Sequence, residues 1–188
     1  MRTGRRRNAW AALVGAIAVA LALPLVPASA EETPSSSGTA EKTVFTVGIT
    51  QDVDTTNPFT GIAAASFEAY QMMYPTLTEY SAEDFSTVPG LAESWEESED
   101  QTYWTYKIRP GLKWSDGQPL TARDAAYTFN RVINGDIEQT NYGGYTSTIT
   151  KAVAEDDTTL KLFVKRPSPI MYHLAVYILP EHIWKNID

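Results

Sequence analysis

Between Gly111 and Asn134 the chain reads GLKWSDGQPLTARDAAYTFNRVIN, and no other stretch restricts the fold as much. Asp116-Gly117 is a two-residue hairpin signal, because both central positions of a type I′ turn need positive φ. Four residues beyond Gly117, Thr121 can accept from a free backbone N–H, and Asp124 stands where a capping box wants an acid. Ala125, Ala126, Phe129, Val132 and Ile133 then recur at helical spacing. The run predicts a hairpin leading into a capped helix with one apolar face, which packs on a sheet.

Strands for that sheet are readable on both sides. TYWTYKIR alternates, with Trp104, Tyr106 and Ile108 on one face and Tyr103, Thr105 and Lys107 on the other, as a half-buried strand requires. LAESWEE, before it, forms a strand ending in an acidic turn. ITKAVAEDDTTLKLFVKR reads as strand, acidic turn and strand, with Leu160, Leu162 and Val164 sharing a face. TVFTVGI, from Thr43 to Ile49, is rich in β-branched residues and predicts a further strand. A polar loop interrupted by Pro58 and Gly61 follows it. Residues 63–74 predict a helix carrying Phe67, Tyr70, Met73 and Tyr74 near one face, and a short strand spans residues 77–80. EQTNYGGYTST, with its Gly143-Gly144 pair, reads as a loop. Residues 169–177 predict a helix begun by a proline, and Pro180 stops it before a short final turn.

Ahead of this foldable part stands a leader. Arg2, Arg5, Arg6 and Arg7 precede an apolar run from Ala9 to Leu23, a Pro24 break and Ala28-Ser29-Ala30. That is the layout of a secretory signal peptide over residues 1–30, cleaved after Ala30, and the run is short for a bilayer span. Residues 31–42, EETPSSSGTAEK, are too polar to bury a core and read as a flexible linker. Cleavage leaves 11 of the 15 Lys and Arg and all 23 Asp and Glu, a formal charge of 11 − 23 = −12. Such a surface makes nucleic acid a poor partner. The absence of cysteine excludes disulfides, thiolate metal sites, a cysteine nucleophile and lipid attachment at an N-terminal cysteine.

Catalytic patterns are scarce. His173 and His182 stand in no metal-ligand spacing, and no nucleophile elbow, P-loop or dinucleotide fingerprint occurs, so no catalytic residue, metal or cofactor is expected. The acidic pairs Glu96-Glu97, Glu99-Asp100 and Asp156-Asp157 fall in turns, where solvated charge is the ordinary reading and a glycosidase pair the alternative. Met72 and Met73, beside aromatics on a helix, read as core filler rather than a soft-metal site. Trp95 and Trp114 are assigned to the core. Asp52 and Asp54 end a strand, and strand ends of α/β sheets often face a ligand crevice.

The succession TVGITQDVDTTNPF, YPTLTEY, VPGLAESW, YKIRPGLKWSDGQPLTARDAAYTF, DDTTLKLFVKRPSPIMYHLA and ILPEHIW resembles the N-terminal part of the extracytoplasmic solute-binding proteins of peptide, dipeptide and nickel ABC importers. The resemblance implies a mixed α/β (α+β) fold of the type II periplasmic-binding-protein class. Residues 43–59 would begin lobe one, residues 60–148 form a small inserted domain, and residues 149–188 return to lobe one. A second lobe, following Asp188 in relatives, is expected to be absent. The implied function is capture of an oligopeptide or similar small polar solute, on the periplasmic or extracellular side, for delivery to an ABC permease by a monomer that is not an enzyme. The segment Gln51, Asp52, Val53 and Asp54, running toward Asn57, resembles one that offers backbone hydrogen bonds to an extended ligand, and main-chain pairing tolerates many side chains. Tyr142 matches a pocket-facing aromatic position. A secreted carbohydrate-active hydrolase and a stand-alone interaction or sensor lobe are the alternative functions.

Overall fold

A strand paired along both of its edges sits at the middle of the architecture. In a computed structural model, which describes residues 44–187, this is β4, Tyr103–Ile108, with Trp104, Tyr106 and Ile108 buried. It pairs antiparallel with β3, Ala92–Glu97, on one side and with β6, Thr159–Val164, on the other, and β5, Ile149–Ala154, completes the order β3-β4-β6-β5. Trp104 lies opposite Leu162 and Tyr106 opposite Leu160, so the large apolar side chains meet on one face. A second, two-stranded sheet pairs β1, Thr78–Tyr80, with β2, Thr87–Pro89.

The helix predicted behind Thr121 is α2, Ala122–Asn134. Its capping box is complete: the Thr121 hydroxyl accepts from Arg123 N–H at 3.2 Å and the Asp124 carboxylate accepts from Thr121 N–H at 2.9 Å. Ala125, Ala126, Phe129 and Val132 are buried against the sheet. Asn130 does something a propensity scale cannot anticipate. Its side-chain amide donates to Ala152 O at 2.8 Å and accepts from Ala152 N–H at 3.0 Å, standing in for a neighbouring strand on the outer edge of β5. Trp95 and Trp114 are half-buried against the core, as expected.

Several expectations are corrected. No strand forms over residues 44–49; Val47 and Ile49 are 65% and 54% exposed, and among the described residues nothing pairs with this backbone. A strand needs a partner for its N–H and C=O groups, so β propensity alone does not make one. The turn at Asp116-Gly117 is not type I′: only Gly117 has positive φ, at +87°, and Gly117 N–H closes the turn on Trp114 O at 2.9 Å. The Asp116 carboxylate accepts from Gln118 N–H at 3.0 Å, a bond that holds the residue in an Asx-type turn. EQTNYGGYTST is helical, as α3, Glu138–Thr146, despite its two glycines. Residues 169–177 form only a single 3-10 turn, Pro169–Tyr172. Beyond it Leu174, Val176, Ile178 and Leu179 are fully buried, and Ile178 N–H donates to Pro75 O at 2.8 Å.

One sheet runs across the boundary expected between residues 148 and 149. β3 and β4 precede it, β5 and β6 follow it, and β4 pairs with β6 along its length. Residues 46–187 belong to one compact unit. The signal peptide and the linker lie outside the described residues.

The edge bond of Asn130 is measurable. Asn130→Ala leaves the Ala152 peptide without its partner and is expected to cost about 1–3 kcal/mol by urea unfolding. Asn134→Ala, at an exposed position of the same helix, is expected to stay within about 0.5 kcal/mol.

Candidate ligand-capture site

In the irregular loop before α1, Ala64–Met73, Asn57 O accepts from Thr60 and Gly61 N–H at 3.2 Å, and side chains from other elements reach further carbonyls. The Tyr70 hydroxyl lies 2.7 Å from Thr55 O and 3.0 Å from Asn57 O. Asn141, on α3, places its amide nitrogen 3.0 Å from Phe59 O and 2.9 Å from Gly61 O. The Tyr142 hydroxyl donates to Pro58 O at 3.0 Å. Gly61 is required here, because an added Cβ would meet the Tyr70 hydroxyl at 2.1 Å.

Two candidate residues fasten the same loop from within. The Asp54 carboxylate accepts from Ile62 N–H at 2.8 Å, from Ala63 N–H at 3.2 Å and from the Ser66 hydroxyl, so one acid ties the two residues ahead of α1 to a side chain in its first turn. The Ser66 bond first, then the backbone donors, hold its carboxyl below the usual aspartate range. Asn57 accepts from Phe59 N–H at 2.9 Å through its side chain.

Beneath the loop Phe59 is enclosed. Its ring meets Tyr142 at 6.0 Å and Trp184 at 5.9 Å, both edge-on, and the Arg131 guanidinium lies 5.1 Å from its centre. Arg131 also pairs with Glu138 at 2.8 Å, donates to Tyr127 Oη at 2.9 Å and to Trp184 O at 2.8 Å. It thereby joins α2, α3 and the last helix, α4, Glu181–Trp184, to the loop.

The six candidate residues therefore separate. Gln51, Asp52 and Val53 stand exposed ahead of the loop, and the backbone of Gln51 and Asp52 makes no hydrogen bond among the described residues. Asp54 and Asn57 hold the loop that presents them. Tyr142 is 3% exposed and carried into the core, where burial pushes its phenol up from the ordinary value. Sequence reasoning missed Tyr70, Asn141 and Arg131 as residues that position this loop, since the bonds of Tyr70 and Asn141 to it and of Arg131 to Trp184 span 13 residues or more. No group of three His, Asp or Glu able to hold a metal occurs among the described residues.

Against known proteins, residues 86–187 match the model of the bacterial extracellular solute-binding proteins, family 5 (middle region). The chain belongs to this family. A protein of Brucella ovis, named as an ABC transporter peptide-binding protein, is 31% identical over 185 residues, covering 97% of this chain and 33% of its own length. The chain thus spans about a third of the length of such curated relatives. Among solved structures, MoaA from A. tumefaciens R10, in complex with mannopinic acid, superposes with a TM-score of 0.64 and 28% identity over 72% of this chain and 29% of its own. The oligopeptide-binding protein AppA of Bacillus subtilis, in complex with a nonapeptide, gives a TM-score of 0.60 and 26% identity over 68% and 25%. The family is one of solute-binding proteins and not an enzyme family.

The hold on the loop has a pH signature. A folded-state pKa below the unfolded one means that Asp54 stabilises fully above the ordinary carboxylate range and loses this as pH falls through the folded value. The amide signals of Ile62 and Ala63 are expected to titrate with a midpoint below about 3.9 and to become flat in Asp54→Asn. A midpoint at the ordinary aspartate value would show that the carboxylate does not bind the Ile62 and Ala63 amides.

Proposed function

We propose that this chain is the capture component of an ABC importer. It takes an oligopeptide or similar small polar solute outside the membrane, delivers it to the permease, and makes or breaks no bond in it. The observation that carries this reading is the match to an ABC transporter peptide-binding protein along 97% of the chain. The unpaired backbone at Gln51 and Asp52 supports it, since extended peptides are held by main-chain bonds at such a segment. The packed anchoring of residues 54–61 supports it too, because a preorganised edge loses less entropy on binding. Residues 1–30 act as a removable export signal, which places the mature protein on the outer side of the membrane, where it works as a monomer.

The protein purified from the medium or periplasm of its native host is the material for the test. Its intact mass is expected to begin at Glu31, and a mixture of short peptides added to it is expected to be retained in native mass spectrometry. Asp52→Pro removes one backbone donor and fixes φ; retention is expected to fall about tenfold with an unchanged circular dichroism spectrum. A folded protein that retains no peptide overturns the reading.

A further inference from the structure

A cleft of about 770 Å³ opens between the end of α1, strand β1 and the extended segment around residues 173–177. Volumes of this order suit a small ligand. Its chemistry is one-sided. Three tyrosines, Tyr74, Tyr80 and Tyr177, line it with His173, Met72 and Glu79, and neither Lys nor Arg contributes to the wall. Glu79 is its single formally charged side chain.

The exposed part of the wall combines Met72, Met73 and Tyr80 with the polar Gln71 and Glu79. Tyr80 stacks on His173 with ring centres 3.4 Å apart and an interplanar angle of 27°, yet the residue stays 58% exposed. Met72 and Met73, expected as core filler, are instead 84% and 47% exposed along the cleft. His173 Nδ1 is buried with no hydrogen-bond partner among the described residues, so packing against Tyr80, not a hydrogen bond, fixes the ring. Burial also lowers the imidazole pKa, which leaves no positive charge at pH 7 to repel a cation. Aromatic faces carry negative quadrupole density, thioethers are polarisable, and one carboxylate stands at the rim. The formal −12 of the mature chain draws cations toward it from a distance.

We propose that this cleft binds the basic side chain of a small solute, a guanidinium or ammonium group carried by a short peptide, through the tyrosine faces and the Glu79 carboxylate. The biological identity of the ligand rests on the capture reading above, whereas the site itself can be tested without it.

Four methionines occur in the whole sequence, and two of them, Met72 and Met73, line the cleft. Exported protein labelled at the methionine methyls is titrated with Gly-Arg-Gly and, in parallel, with the uncharged isostere Gly-citrulline-Gly. Saturable shifts are expected at Met72 and Met73 with the arginine peptide and at least about fivefold weaker ones with the citrulline peptide. The buried Met171 is the silent control. Glu79→Gln, at an exposed position, and Tyr80→Ala are each expected to remove the preference. Equal shifts with both peptides, or a preference that survives Glu79→Gln, overturn the cation assignment. Unmoved Met72 and Met73 methyls overturn the site, and if peptides are still retained in native mass spectrometry the capture reading stands without it.

Discussion

Arg131 is a cation on which four parts of the fold converge. Its side chain is 17% exposed and its partner Glu138 13%, so both charges are largely withdrawn from water. Leaving one of them alone would cost about 3–5 kcal/mol. The guanidinium answers this by using its fork on three elements at once and resting on Phe59. The last turn of α2, the first turn of α3, the carbonyl end of α4 and the loop before α1 can therefore take up their positions only together. Residues 51–53 inherit their placement from this joint, because Phe59 is a buried anchor of the loop that begins at Asp54.

How much of this could be read beforehand depends on whether the deciding contact is near in sequence. The capped helix α2 was legible because Thr121, Asp124 and the apolar spacing all lie within it. The hairpin of β5 and β6 and the faces of β4 were legible for the same reason. The helix α3 was not, since Gly143 and Gly144 argue against it locally, while what holds it are the Asn141 and Tyr142 bonds to carbonyls some eighty residues earlier. The strand over residues 43–49 failed in the opposite way, with the right residues and no partner among those described. Tyr177 and its neighbours failed because a continuous apolar run is consistent with a helix or with an extended segment buried on both sides.

The candidate site follows the same rule. Asp54 and Asn57 were singled out as ligand-facing, and their side chains turn out to secure the loop beside the open residues 51–53. A polar residue near a ligand edge can serve by holding backbone in place, and sequence alone does not separate that role from direct contact. The family resemblance supplied the kind of protein. The geometry adds which residues keep its loop rigid.

The amide of Asn130 on Ala152 also sets how this sheet can associate. On the β5 side the helix occupies the bonding position. On the β3 side, Leu91 and Ala92 N–H are taken by Thr76 and Leu77 carbonyls, which leaves the acidic stretch from Glu93 to Glu97 open. A second strand joining there would bring its own backbone against Glu93, Glu96 and Glu97. Strand addition to this sheet would thus meet a row of carboxylates on one side and a capped peptide on the other, and both features discourage pairing with a further strand.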